Sequence, residues 1–222
     1  MNSFSLRRAS KPFFNWFARN LVSQRVSANE VTLCGFVIGI WAFVMLAYNH
    51  YEPAIIFILF NRFFDGIDGA VARQTQETDA GHYLDLVLDF TFYTGLIFFF
   101  VIGRPEAAFS GLMVLFAYTV NQFSLASFTI FAEKNEMKKD RQGSLYPLGG
   151  LMDGTENFVI VILMCVAPDA FVVTGLIYFL LAILATTTRV VNATRLLSRQ
   201  KKSTTQKERS PSRRAGIKKR GC

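Results

Sequence analysis

The sequence contains few cysteines and histidines, which excludes several common kinds of site. The three cysteines, Cys34, Cys165 and Cys222, are scattered through 222 residues. They are too few for a disulfide framework and do not have the spacing of a zinc site. One of the two histidines, His82, stands alone at the start of a predicted helix. We interpret it as an interfacial group rather than as a catalyst.

Charged residues are absent from long stretches of the chain. No charged residue occurs in the eighteen positions from Val31 to Tyr48, which is long enough for a membrane-spanning helix. Further apolar stretches lie near residues 53–73, 81–102, 107–131, 154–168 and 170–188. The sequence therefore predicts an all-α, polytopic membrane protein with six transmembrane helices in residues 28–197. No internal repeat suggests an inverted-repeat transporter.

The positive charge is concentrated at the C-terminus. Residues 198–222 carry ten Lys or Arg and one Glu, whereas the whole chain has a net charge of +8. This composition predicts a disordered tail. The tail either lies free in the solvent or is attracted to anionic lipid headgroups. No folded basic module accompanies it, so we do not expect nucleic acid as a partner.

The remaining basic residues predict the orientation in the membrane. They lie mainly in residues 1–27 and in the connection 132–152, whereas the other connections have almost none. Basic residues favour the cytoplasmic side, so both termini are expected in the cytoplasm. Within residues 1–27, the segment from Lys11 to Arg25 alternates aromatic and basic residues. It is either an amphipathic interfacial helix or a simple lead-in to the first span.

Four aspartates interrupt the apolar pattern between residues 61 and 90. Asp65 and Asp68 share one face of a helix, and Asp85 and Asp89 share a face of the next, since residues three or four apart lie on the same side. A connection of only seven residues makes these helices antiparallel neighbours. We therefore expect the four carboxylates to converge on one cavity near the cytoplasmic ends of the helices.

Such a cluster is costly in a membrane unless a cation neutralises it. All-oxygen ligands favour Mg²⁺ or Mn²⁺. Four aspartates are enough for two ions, which could clamp the oxygens of a phosphoryl group during in-line displacement. Small residues on the same faces, Gly69, Ala72 and Gly81, would let a planar base or a diphosphate approach. Arg73 has the donor geometry suited to a phosphate.

The pattern D-x2-D-G-x2-A-R, followed by G-x3-D-x3-D, closely resembles the signature of the CDP-alcohol phosphatidyltransferases. In this chain it comprises Asp65, Asp68, Gly69, Ala72, Arg73, Gly81, Asp85 and Asp89. The predicted spans extend the resemblance over about residues 28–197. The spacer from Gln74 to Ala80 has seven residues, one fewer than is usual in the family.

The resemblance implies a role for each of these residues. Asp65, Asp68 and Asp85 would bind metal, and Asp89 would complete a second metal site and act as general base. The CDP moiety would be held by Gly69, Ala72, Arg73 and Gly81. Asn29 and Thr32, just before the first span, would touch the nucleotide. A homodimer is also suggested by the resemblance alone.

The reaction implied by the resemblance is a step of phospholipid synthesis. An alcohol attacks the lipid-bearing phosphorus of a CDP-linked lipid, CDP-diacylglycerol, and CMP leaves. The acceptor stays open between glycerol phosphate, inositol or its phosphate, serine and another alcohol. The protein would lie in a bacterial inner membrane with its active site facing the cytoplasm.

Two questions stay open in the sequence. Arg62 is expected to pair with Asp65, Glu156 or both, either to lock two spans or to bind the acceptor together with Asp153. Two alternatives to the enzyme are an ion-coupled transporter, supported only by Asn121 and Gln122 in the fourth span, and a catalytically silent lipid-binding protein. The complete set of four aspartates argues against the silent protein.

Overall fold

The computed structural model describes the backbone of residues 3–134 and 154–208, and side chains within 13–132, at Lys134 and within 157–198. Every regular element in these residues is helical. The seven α-helices are α1 (Ser3–Ser23), α2 (Ala28–Ala47), α3 (Tyr51–Gln74), α4 (Asp79–Gly103), α5 (Ala108–Lys134), α6 (Gly154–Val166) and α7 (Phe171–Glu208). Short 3-10 turns, Pro105–Ala107 and Pro168–Ala170, precede α5 and α7. The all-α prediction is thus confirmed for the described residues.

Two helices near the aspartates begin at side-chain caps. At the start of α2, the Ser27 hydroxyl accepts from the Glu30 amide at 3.3 Å, and the Glu30 carboxylate accepts from the Ser27 amide at 2.7 Å. This reciprocal pair is a capping box. At the start of α4, the Thr78 hydroxyl accepts from the Gly81 amide at 3.1 Å. Local sequence therefore determines where both helices begin.

Four helical segments in the described residues are long and apolar enough to cross a membrane. They are Ala28–Ala47, Asp79–Gly103, Pro105–Ala132 and Pro168–Ser198. Large apolar side chains such as Trp41, Phe60 and Phe123 are exposed on the helices, as expected of surfaces that face lipid. α3 has 24 residues but carries several charges, and α6 has 13 described residues. The protein is an integral membrane protein, whereas six spans and cytoplasmic termini remain predictions.

The chain forms two compact units, and the aspartates belong to the first, Met1–Thr119 with Gly154–Phe179. In this unit α2 packs against both α3 and α4, whose own backbones approach each other closely at few points. Glycines permit this packing: a Cβ on Gly35 would lie 2.7 Å from Phe64 Cβ, and one on Gly39 would lie 2.8 Å from the Phe92 ring. The two helices that carry the aspartates are therefore held on one shared helix.

α1 also packs against α3. A Cβ on Gly66 would lie 2.6 Å from the Phe14 ring, so this glycine serves helix packing. Ala18 of α1 shares a buried apolar cluster with Ile67 and neighbouring residues of α3. Trp16 is exposed, which suits the predicted interfacial position of this helix.

The second unit comprises Val120–Asp153 and Leu180–Cys222. Inside it, the buried Arg189 donates from Nη1 to Asn121 Oδ1 at 2.9 Å, and the Thr186 hydroxyl donates to the same oxygen at 3.1 Å. Asn121 thus belongs to a buried polar cluster, so its presence in α5 does not require an ion pathway.

The last described helix extends into the predicted tail. α7 continues to Glu208, so residues 198–208 are helical, and the rest of the predicted disordered tail lies outside the described residues. Arginine, lysine, glutamine and glutamate are good helix formers. They can extend a helix that apolar residues have already nucleated.

Candidate active site

The site lies between the C-terminal half of α3 and the N-terminal half of α4. A polar cleft there, partly open to solvent, has walls from α2, α3 and α4. It exists because the backbones of α3 and α4 scarcely approach each other and α2 packs against both. The cleft is lined by Thr32, Gly35, Phe36, Asn61, Arg62, Asp65, Asp68, Asp85, Leu88 and Asp89.

Three of the four predicted carboxylates come together in this cleft. One carboxylate oxygen each from Asp65, Asp68 and Asp85 lies within 4.8 Å of the other two. Asp68 is buried, and the other two are partly exposed. Helical spacing brings Asp65 and Asp68 to one wall, and the start of α4 contributes Asp85 from the other.

These residues fit a divalent cation. Asp68 Oδ2 is buried and has no hydrogen-bond partner among the described residues. An ionised oxygen in such a place is costly unless a positive group compensates it. Carboxylate oxygens at this separation are the ligands that Mg²⁺ and Mn²⁺ prefer.

Asp89 lines the same cleft but has a different partner. Its Oδ1 accepts a hydrogen bond from Arg62 Nη2 at 2.6 Å, and Arg62 Nη1 lies 3.6 Å from Asp65 Oδ2. The predicted pairing of Arg62 with Asp65 is thereby confirmed, and the pairing with Asp89 is an addition. Asp153 and the side chain of Glu156 lie outside the described residues.

The residues predicted to hold the nucleotide lie on α2, α3 and α4, the three helices that form the cleft. A Cβ on Gly69 would lie 3.3 Å from Arg73 Nη1, and one on Gly81 would lie 3.0 Å from Asn29 Oδ1. Thr32 lines the cleft itself, and its hydroxyl donates to the Ala28 carbonyl at 3.0 Å. Ala72 is partly buried one turn after Asp68. Their nucleotide-binding role stays a prediction.

Asn61 shares the face of α3 that carries the aspartates, as helical spacing predicts, but no role was predicted for it. It is buried, its Nδ2 donates to the Gly35 carbonyl at 2.9 Å, and its Oδ1 accepts from Arg62. The signal was available, because an asparagine next to an arginine inside an apolar helix needs polar partners.

Comparisons with known proteins agree with this geometry. Residues 25–191 match the family model of the CDP-alcohol phosphatidyltransferases. The chain is 38% identical over 185 residues to inner membrane protein YnjF of Escherichia coli, covering 81% of this chain and 89% of that protein. It is 26% identical over 166 residues to an uncharacterised protein of Aquifex aeolicus, covering 71% of this chain and 79% of that protein.

Solved structures with the same fold include phosphatidylinositol phosphate synthase of Mycobacterium tuberculosis. One of them has CDP-DAG bound, and the other is a complex with manganese and citrate. Each has a TM-score of 0.66 and 18% identity over 81% of this chain, with 92% and 88% of those chains covered. The family match includes all four aspartates and confirms the resemblance seen in the motif. The chain belongs to the CDP-alcohol phosphatidyltransferase family.

Proposed function

We propose that the protein transfers the phosphatidyl group of CDP-diacylglycerol to the hydroxyl group of a small alcohol and releases CMP. Family membership already makes it a membrane-bound transferase of phospholipid synthesis. The observation that carries the finer proposal is the grouping of three carboxylate oxygens within 4.8 Å, beside Asp89, in a cleft that opens to solvent. That arrangement suits a diphosphate substrate that arrives with metal ions.

Asp65, Asp68 and Asp85 would hold a divalent cation, Mg²⁺ or Mn²⁺, and Asp89 would contribute to a second ion. When bound, the ions neutralise charge on the diphosphate and on departing CMP. The buried Asp68 oxygen supports this assignment, since it has no other partner among the described residues. The manganese complex of the Mycobacterium tuberculosis synthase gives further support.

The nucleotide would lie along Gly69, Ala72 and Arg73 on α3 and along Gly81 at the start of α4. Asn29 supports this placement because its Oδ1 lies beside Gly81, and Thr32 because it lines the cleft. The glycines leave room for the base and diphosphate. Arg73 is exposed, so its guanidinium is free to bind a phosphate of the substrate.

The chemistry is a single displacement at phosphorus. The acceptor oxygen forms a bond to the lipid-bearing phosphorus, and the bond from that phosphorus to the bridging oxygen of CMP breaks. The hydroxyl proton passes to the Asp89 carboxylate, which acts as general base. The bonding electrons leave with CMP, and no covalent enzyme intermediate is required. Arg62, Asp153 and Glu156 are the candidates on the acceptor side.

The protein would lie in a bacterial inner membrane with its site facing the cytoplasm, and two copies would form a homodimer. Water-soluble nucleotides and most small alcohols are made on that side. The name of the Escherichia coli relative, inner membrane protein, supports this location.

The test is to incubate the purified full chain with CDP-diacylglycerol, Mg²⁺ or Mn²⁺ and a panel of alcohols. We expect CMP release that depends on both the metal and one class of acceptor. Asp89→Asn should still bind CDP-diacylglycerol but lose turnover. A folded protein that releases no CMP with any acceptor would overturn the proposal.

A further inference from the structure

Arg62 is anchored by groups other than the carboxylates. Its Nε and Nη2 donate to Asn61 Oδ1 at 3.1 and 2.7 Å, and Asn61 is itself bound to the Gly35 carbonyl of α2. The guanidinium carbon also lies 5.0 Å from the ring centroids of Phe92 and Tyr93 on α4. Such cation–π contacts favour a fixed position for the arginine. The guanidinium is therefore oriented before any substrate arrives.

This oriented arginine bridges the cleft to Asp89. The contact from Nη2 to Asp89 Oδ1 is 2.6 Å and joins α3 to α4, whose backbones make few close approaches. Charge-assisted hydrogen bonds of this length are among the strongest in proteins. One Asp89 oxygen is thus bound by Arg62, and the carboxylate has a second oxygen for proton transfer.

We propose that Arg62 is the positioning residue for Asp89: it holds the carboxylate in the orientation in which it takes the proton of the acceptor hydroxyl. This inference rests on the proposed function, because it assigns Arg62 a part in the same displacement. A carboxylate on a helix can rotate about its side-chain bonds. Displacement of a catalytic group by about 1 Å can reduce turnover strongly.

The charge of Arg62 separates this role from a merely structural one. Arg62 Nη1 lies 3.6 Å from Asp65 Oδ2, so its positive charge opposes a cation bound by Asp65, Asp68 and Asp85. Replacing Arg62 by a neutral residue should therefore tighten cation binding while it slows turnover. An arginine that only holds the helices together would weaken both properties when it is removed.

The experiment compares the full-length wild type with Arg62→Met, Arg62→Lys and the matched control Arg104→Gln. Arg104 also pairs with two carboxylates, but it lies just after the far end of α4. CMP release gives kcat and KM for CDP-diacylglycerol. A Mn²⁺ titration followed by electron paramagnetic resonance, without substrate, gives cation affinity, and thermal unfolding reports folding.

For Arg62→Met we expect kcat to fall about 10- to 100-fold with KM changed less than about twofold. Mn²⁺ affinity should rise about 3- to 10-fold, because a nearby positive charge has been removed. Arg62→Lys should recover part of kcat, since its ammonium can reach one carboxylate but lacks the planar fork. Arg104→Gln should leave kcat, KM and Mn²⁺ affinity within about twofold of wild type.

An unchanged kcat in Arg62→Met overturns this inference but leaves the proposed function standing. Parallel loss of kcat and Mn²⁺ affinity in both Arg62 variants also overturns it, because that result indicates a structural role. If Arg62→Met does not fold, Arg62→Gln, which also lacks the charge, replaces it in the comparison. Absence of CMP release by the wild type overturns the proposed function and this inference with it.

Discussion

Two arginines each have two carboxylate partners: Arg62 lies beside the middle of α4, and Arg104 follows its C-terminal end. Arg62 contacts Asp89 at 2.6 Å and Asp65 at 3.6 Å. Arg104 contacts Asp169 at 2.7 Å and Glu106 at 2.8 Å. The two arginine side chains are 18% and 20% exposed, but Asp169 is 91% exposed whereas Asp89 is only 38% exposed. The pairs are alike in geometry and differ in their surroundings.

Around Arg104 the carboxylates extend from the short turns that precede α5 and α7. Hydrogen bonds to Asp169 and Glu106 raise the pKa of Arg104 above its ordinary value, so the group stays fully charged. Water screens such pairs, and they contribute little to stability. This cluster links the two connections that precede α5 and α7.

Around Arg62 the balance of charge is different. Four aspartates line the cleft together with this one arginine, and one of them is buried. Excess negative charge in a partly buried place is destabilising unless a ligand neutralises it. Ion-pair geometry alone therefore does not identify a functional site, whereas burial and unbalanced charge do.

The largest expected effect comes from replacing one carboxylate of the cleft. Asp68→Asn should lower CMP release about 1,000-fold, because a buried cation ligand is lost. The same variant should unfold at a higher temperature than wild type in chelator, since an unpaired buried carboxylate has been made neutral. Its unfolding temperature should no longer rise when Mn²⁺ is added.

Asp169→Asn is the matched control for this exchange. It should release CMP within about twofold of wild type, because distant sites act independently. Comparable losses of turnover in both variants would break the distinction between the two clusters.

A smaller effect is expected from two glycines of α3. Gly69→Ala should raise KM for CDP-diacylglycerol about tenfold through steric exclusion. Folding should be unaffected or improved, since the new methyl would meet only the mobile end of Arg73, 3.3 Å away, and alanine favours helices. Kinetics and thermal unfolding on the same sample check both parts.

Gly66→Ala provides the opposite control on the same helix. Its methyl would lie 2.6 Å from the Phe14 ring of α1, so we expect destabilisation of about 1–3 kcal/mol from overpacking. KM should stay near the wild-type value in the folded fraction. If Gly66→Ala raised KM and Gly69→Ala lowered stability, the assigned roles of the two faces would be wrong.

The smallest expected effect is that of Arg104→Gln on stability. Its partners are exposed, so the unfolding temperature should fall by at most about 2–4 °C. The difference from wild type should shrink at high salt, because ions screen exposed pairs. A large fall in unfolding temperature that does not depend on salt would show that this ion-pair cluster contributes strongly to stability.

The sequence was sufficient to predict which faces of α3 and α4 carry the aspartates. Asp65 and Asp68 share a helix face because the helix repeats every 3.6 residues, and the same rule places Asp85. The starts of α2 and α4 were predictable for the same local reason, since Ser27 and Thr78 cap them. Such features depend on neighbours a few positions away in the chain.

Other features depend on partners far along the chain. Arg62 pairs with Asp89, 27 positions later, and Asn61 with Gly35, 26 positions earlier. Several carboxylates were available to Arg62, and no spacing rule chooses among them. The tight contact of Gly66 with α1 could not be predicted either, because a glycine in a helix does not indicate which side chain packs against it.

The sequence by itself determined a helical membrane protein, the faces that carry the aspartates and the family to which the motif belongs. These depend on periodicity, hydrophobicity and the spacing of a few residues. Only the tertiary structure decided that α2 packs against both α3 and α4, that three carboxylates meet and that Arg62 holds the fourth. The reason is that close packing and charge pairing select among distant partners, and that selection is made when the helices assemble.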